Sequence, residues 1–99
     1  MIVGGCFEQN KSYLNGALKR NGKNVVIKNV NSPEACQSEC KKDTDCKFWT
    51  WGGPTVNSKK KRNQCLIKDK KGTLQKDSQE SKGKVSGPKT CPGKYFNQY

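Results

Sequence analysis

The apolar residues of this chain form three short runs, separated by long polar stretches. The first, Val-Val-Ile at residues 25–27, is β-branched and predicts a strand. The second carries Trp49 and Trp51 at alternate positions, which predicts a strand with both indole rings on one face. The third spans residues 64–68 and predicts another strand. We expect the second and third strands to pair as a hairpin with a long polar loop.

A helix is predicted between the first two of these strands. Ser32 is a favourable N-cap, Pro33 suits the first helical position, and Glu34 places a negative charge in the first turn. Asn31 offers an alternative start, because Asn31 and Glu34 form a pair resembling a capping box.

Six cysteines occur in a chain that has little hydrophobic material. Cys36 and Cys40 are four residues apart, so both thiols lie on one face of the predicted helix. Of the 99 residues, 30% are hydrophobic and the net charge is +12, a composition that by itself favours disorder. Small chains often replace a missing core with cross-links, so three disulfides and an oxidising compartment are expected. A zinc site is the alternative, but Cys-x2-Cys pairs and histidine are absent from the sequence.

The two ends of the chain are expected to be linkers. Residues 1–5 precede the first cysteine and residues 92–99 follow the last one, which leaves residues 6–91 as one module. No apolar signal sequence follows Met1, and no run approaches the ~20 apolar residues of a membrane span. We therefore expect one of several modules of a longer secreted chain, without membrane insertion.

The order and spacing of these features resemble the PAN/apple domain family. The matching residues are the Cys-x3-Cys helix, Cys46 before the aromatic strand, Cys65 before Leu-x-Lys, and Ser86-Gly87 before the last cysteine. The resemblance covers about residues 6–91. It implies an α+β fold in which an antiparallel sheet of about five strands wraps around one helix. Sequence alone cannot choose among the possible pairings of six cysteines. The family resemblance implies the disulfides Cys6–Cys91, Cys36–Cys65 and Cys40–Cys46.

The resemblance also implies a class of function. The family occurs in coagulation and kallikrein zymogens, hepatocyte growth factor, plasminogen and the microneme adhesins of apicomplexan parasites. Its members bind proteins or carbohydrates and are not catalytic. The lysine-, serine- and asparagine-rich loops of this chain are more similar to an adhesin repeat than to a plasma protein.

The expected function is therefore a binding module of a secreted multidomain adhesion protein, extracellular or stored in a microneme, that acts in host-cell attachment. Its expected partners are host-surface or partner proteins and anionic glycans. The alternative is a heparin- or sulfated-glycan-binding module of a growth-factor-like or zymogen plasma protein.

The candidate ligand-binding residues are basic. The predicted hairpin loop contains Lys59, Lys60, Lys61 and Arg62. Lys68 is the last residue of the third predicted strand. Dense positive charge favours sulfated glycans, acidic proteins or nucleic acid. Nucleic acid is not expected, because a secreted disulfide domain rarely meets it and no recognition helix is visible. The alternative interpretation is a solvated lysine surface without a ligand.

The two tryptophans could stack on sugar rings or could form the core. The core is favoured, because the chain has few other large apolar side chains. Alternation then leaves Phe48 on the opposite face as the more exposed aromatic residue. Phe48 is accordingly the candidate contact in a second hypothesis, in which the module assembles with proteins through its sheet face.

No catalytic site, cofactor or metal is expected. Without histidine, acid–base chemistry would depend on carboxylates or lysines, and all six cysteines are assigned to disulfides. Asp43 and Asp45 together supply too few oxygen ligands for calcium.

Overall fold

The computed structural model describes residues 6–14, 16–70, 73–76 and 82–91. In this part of the chain the single α-helix, α1, covers Pro33–Lys42. Ser32 is its N-cap: the Ser32 Oγ accepts a hydrogen bond from the backbone N–H of Ala35 at 3.0 Å. Pro33 lies in the first turn, where its missing N–H has no helical partner to lose. The predicted helix start at Ser32 is confirmed.

The described residues also contain short strands and one 3-10 turn at Lys59–Lys61. The strands are β1 Glu8–Gln9, β2 Lys11–Leu14, β3 Lys19–Arg20, β4 Lys23–Asn24, β5 Val26–Lys28, β6 Phe48–Gly52, β7 Gln64–Lys68, β8 Thr73–Lys76 and β9 Lys84–Pro88. Five of them form an antiparallel sheet in the order β1-β9-β6-β7-β5. Strands β2 and β8 form a separate two-stranded ribbon, and β3 pairs with β4. The predicted α+β fold, with five strands and one helix, is confirmed, as is the β6–β7 hairpin with its long loop.

The register of the sheet separates its residues into two faces. Trp51 lies opposite Cys65 on β7 and Val85 on β9, and these side chains point toward α1. We call this side the helix face. Thr50, one residue earlier, lies opposite Leu66 and Ser86 on the other side, which we call the outer face.

The hydrophobic core lies between the helix face and α1. Trp49 is fully buried and Trp51 is 7% exposed, so the prediction that both tryptophans belong to the core is confirmed. Both indole N–H groups are satisfied: Trp49 Nε1 donates to the Pro88 carbonyl at 2.8 Å, and Trp51 Nε1 donates to the Val30 carbonyl at 2.7 Å. The other members of the buried cluster are Leu18, Val30, Cys36, Cys40, Cys46, Cys65, Ile67 and Val85.

Three disulfides connect the helix and the sheet. Cys36–Cys65 joins α1 to β7, Cys40–Cys46 closes the turn after α1, and Cys6–Cys91 joins the two ends of the domain. These are the pairs that the family resemblance implies. Because four of these cysteines are fully buried, they also replace apolar side chains in a small core.

The β2–β8 ribbon covers part of the outer face. Tyr13 on β2 packs edge-on against Phe48, with ring centroids 5.6 Å apart, and the Ser86 hydroxyl donates to the Lys11 carbonyl at 2.8 Å. Phe48 lies on the outer face and is less buried than either tryptophan, as predicted, but Tyr13 covers part of its ring. The local pattern did not predict β2, the strand that packs over Phe48.

An ion pair fixes the β3–β4 hairpin to the end of α1. Arg20 Nη2 donates to Asp43 Oδ1 at 2.7 Å and to Asp45 Oδ2 at 3.3 Å. The hydrogen bond from Arg20 is the main reason that the pKa of Asp43 lies below its usual value. The two aspartates are thus partners of an arginine in this structure.

Two further expectations concern the ends of the chain and the membrane. The proposed linkers at residues 1–5 and 92–99 lie outside the described residues. Among the residues that are described, no helix has the length and apolar character needed to cross a membrane.

Candidate functional site

Residues 59–62, which we call the basic loop, form an exposed and well-anchored turn. Lys61 donates its backbone N–H to the Ser58 carbonyl at 3.0 Å, and the Arg62 Nε donates to the Val56 carbonyl at 2.9 Å. Val56 is buried beneath the loop. Gly52 is required at this point, since a Cβ there would collide with the Lys61 carbonyl. The loop therefore presents its four positive charges from a defined backbone.

A large hollow opens on the outer face of the sheet, beside the basic loop. It has a volume of about 720 Å³ and lies between β7, the ribbon and the segment around Leu18. Among the described residues, the charged side chains that line it are five lysines and one aspartate: Lys19, Lys61, Lys68, Lys70, Lys84 and Asp69. The lining is therefore strongly positive.

Two smaller hollows adjoin the large one. One, of about 240 Å³, lies over the centre of the sheet and is lined by Thr50, Gln64 and Leu66. The other, of about 380 Å³, lies beside Val56. All three are lined by both Lys61 and Lys84, so the hollows adjoin one another at these two residues. We call the three hollows together the basic groove.

Lys68 is buried in the wall of the basic groove. Its side chain points to the outer face, in register with Phe48, and the residue is 3% exposed. Burial lowers the pKa of Lys68 to about 8, and the positive charge of Lys84 adds to this shift. The structure therefore separates Lys68 from the exposed basic loop with which the sequence had grouped it.

Tyr13 places a phenol on the same wall. Burial raises the pKa of Tyr13 above its usual value, and the nearby Glu8 carboxylate, which accepts a hydrogen bond from it, raises the pKa further. Tyr13 therefore remains a neutral hydroxyl over the physiological range.

The five predicted site residues divide into two groups. Lys59, Lys60 and Arg62 lie on the exposed loop, Lys68 lies in the groove wall, and Lys61 belongs to both regions. Sequence analysis did not identify Lys84, which lines all three hollows. The strand pattern could have indicated its position, because Lys84 is two residues before Ser86 and residues two apart in a strand lie on one face.

The fold and the groove together define a small, disulfide-stabilised module with a concave, positively charged face. A family model described as PAN domain matches residues 15–68, which is more than half of the chain. The chain therefore belongs to the PAN domain family. A search of curated proteins found no match.

Membership of this family has two consequences. PAN domains are generally protein- or carbohydrate-binding modules and are typically not catalytic. The three disulfides also indicate an extracellular or secreted setting, since such bonds persist in oxidising compartments. The matched residues include Lys19, Lys61 and Lys68 but end before Lys84.

Proposed function

We propose that this PAN module binds anionic glycans through its basic groove and basic loop. The observation that carries the proposal is the lining of the groove, where five lysines and one aspartate surround a concave space next to three further exposed charges, those of Lys59, Lys60 and Arg62. Positive charge in a concave, partly desolvated site attracts anions more strongly than the same charge on a flat surface. Lys61 is common to both regions and makes them one continuous positive surface.

The surface chemistry favours a polyanion over an apolar protein partner. Among the described residues, Val26 is the one exposed large hydrophobic side chain, at 40% exposure. Protein interfaces usually depend on a cluster of buried aromatic or aliphatic anchors. Phe48, the residue proposed for that role, already packs against Tyr13.

The biological setting is part of the same proposal. We place the module in a secreted multidomain adhesion protein, of the kind found in micronemes, where it attaches to glycans of a host surface. A heparin-binding module of a growth-factor-like or zymogen protein is the second candidate, and the same basic residues would serve it. A parent chain with tandem copies of this cysteine pattern would favour the adhesin, whereas a following protease domain would favour the zymogen.

Binding to immobilised heparin tests the proposal. We expect retention at low salt and a loss of affinity of at least about tenfold between about 50 and about 200 mM NaCl, because several ion pairs form together. A variant with Lys59, Lys60 and Lys61 changed to glutamine should bind more weakly and keep its melting temperature, because it retains the anchoring hydrogen bond of Arg62 to the Val56 carbonyl.

A de-sulfated heparin serves as the matched ligand control, since it keeps the sugar chain and removes most of the charge. Absence of binding to heparin at low salt would contradict the proposal. Equal binding to heparin and to the de-sulfated chain would also contradict it.

A further inference from the structure

The three hollows of the basic groove run across the outer face and share two lysines. From this geometry we propose that the groove seats one extended anionic oligosaccharide, with acidic groups held at Lys61 and Lys84. In this arrangement Lys59 and Lys60 supply long-range attraction and make no fixed contact. The inference rests on the proposed glycan binding and goes beyond it, because it assigns the specific contacts to the groove and not to the loop.

The distribution of charge supports this division of roles. Lys59 and Lys60 are exposed and line none of the three hollows, so their charges are surrounded by water and screened by salt. Lys61 and Lys84 line all three hollows, and both lie next to Gly52: Lys84 is its register partner on β9, and the Lys61 carbonyl occupies the space of a Gly52 side chain. Water screens an anion between these two lysines less than it screens one on the exposed loop. Each charge-assisted hydrogen bond between the anion and a lysine is therefore stronger.

Lys68 adds positive charge to the wall of the large hollow without a direct ligand contact, because only 3% of the residue is exposed. At neutral pH most of its population still carries the positive charge, because its pKa is about 8.

The neutral lining of the groove suits a sugar chain. Ser12, Asn24 and Gln64 provide hydroxyl and amide groups for ring hydroxyls, and Leu66 gives a flat apolar patch for the face of a ring. An acidic peptide fits less well. A peptide commonly binds by adding a strand to a sheet edge, whereas this groove crosses the face of the sheet, where the backbone groups of β6 already pair with β7 and β9.

Two double variants with the same loss of charge test the inference. Lys61→Gln/Lys84→Gln removes two positive charges from the groove, and Lys59→Gln/Lys60→Gln removes two from the loop. With a heparin-derived tetrasaccharide at about 150 mM NaCl, we expect the groove variant to lose at least about 30-fold in affinity, because each lost charge-assisted hydrogen bond costs about tenfold or more. The loop variant should lose less than about fivefold.

Backbone amide NMR shifts of the wild-type protein provide a second measurement that does not depend on how a variant folds. The tetrasaccharide should shift the amides around Lys61, Gln64 and Lys84, and should leave Lys59 and Lys60 little changed. A hexaglutamate peptide should give no comparable shifts.

The outcomes distinguish the inference from the proposed function. Equal losses in the two double variants, with shifts confined to the basic loop, would overturn the groove assignment while heparin binding still stood. Tighter binding of hexaglutamate than of the tetrasaccharide would also overturn it, in favour of an acidic protein partner. If the wild-type protein bound no sulfated ligand at low salt, the proposed function itself would fall.

Discussion

The two faces of the five-stranded sheet come from the same strands but have opposite characters. The helix face carries Trp49, Trp51 and Ile67, all buried and apolar, and its Cys65 is cross-linked to α1. The outer face carries Thr50, Ser86, Lys68 and Lys84 at the alternate positions. The comparison indicates that one face supplies the stability of the domain and leaves the other free to carry charge.

The largest predicted effect on stability comes from removing a disulfide on the helix face. Cys36–Cys65 closes a separation of 29 residues, whereas Cys40–Cys46 closes 6. The chain-entropy estimate is about 3–4 kcal/mol for the first and about 2 kcal/mol for the second. We expect Cys36→Ala/Cys65→Ala to abolish folding at physiological temperature, and Cys40→Ala/Cys46→Ala to lower the melting temperature of a protein that still folds.

Circular dichroism during thermal unfolding measures both effects. The single change Cys36→Ala is expected to prevent folding as well, because it leaves the Cys65 thiol unpaired. If the Cys36→Ala/Cys65→Ala variant were more stable than the Cys40→Ala/Cys46→Ala variant, loop length would not govern the ranking.

The second prediction compares one side chain from each face. Trp51→Phe keeps an aromatic ring but removes the donor to the Val30 carbonyl, which is buried. An unsatisfied buried acceptor costs about 1–3 kcal/mol. Val26→Ala on the outer face should change the free energy of unfolding by less than about 1 kcal/mol, because Val26 is 40% exposed and its side chain makes no buried hydrogen bond. Urea denaturation of both variants measures the difference, and similar losses in the two would contradict the assignment of stability to the helix face.

The third prediction concerns Lys68, a buried residue of the outer face. The pKa of this buried lysine is about 8 in the folded protein, below its ordinary value of 10.5. Between these values the unfolded chain binds more protons than the folded one, so stability should rise as the pH increases from about 8 to about 10.5. Below pH 8 the charged lysine opposes folding to its full extent. Its cost is at most about 3 kcal/mol, which is the full value of this pKa shift without solvent screening.

Lys68→Met removes this cost, and its stability relative to the wild-type protein is the quantity to measure. The relative stability of the variant should be greatest near pH 7 and should decrease between about pH 8 and about pH 10.5. Lys60→Met, an exposed lysine variant, shows whether the trend belongs to the buried position. A difference between Lys68→Met and wild type that is constant with pH would contradict the prediction. Tyr13 also contributes to the pH dependence near pH 10, because its pKa is raised on folding, but it does so in both proteins and therefore cancels in the difference between Lys68→Met and wild type.

Local sequence patterns predicted the helix face well. The Ser32 cap, the shared face of Cys36 and Cys40, and the alternation of Trp49 and Trp51 are all relations between residues a few positions apart. Such relations are set by the periods of the helix and the strand, which a sequence displays directly.

The outer face was harder to predict, because its features depend on residues distant in sequence. Phe48 is half-buried because Tyr13, 35 positions earlier, packs on it. Lys68 is buried although its sequence neighbours at positions 69 and 70 are exposed, since the ribbon and the segment around Leu18 close over it.

The sequence by itself therefore determined the disulfide-bonded helix, the central hairpin and the tryptophan core of this PAN domain. Tertiary structure alone decided the basic groove, which combines Lys61 and Lys68 from the hairpin with Lys84 from β9 and Ser12 from β2. The physical reason is the strand order: β9 pairs with β6 across about a third of the chain, and that pairing places the Lys84 side chain beside Lys61. A run of basic residues indicates charge, but the register of distant strands decides which lysines line the groove.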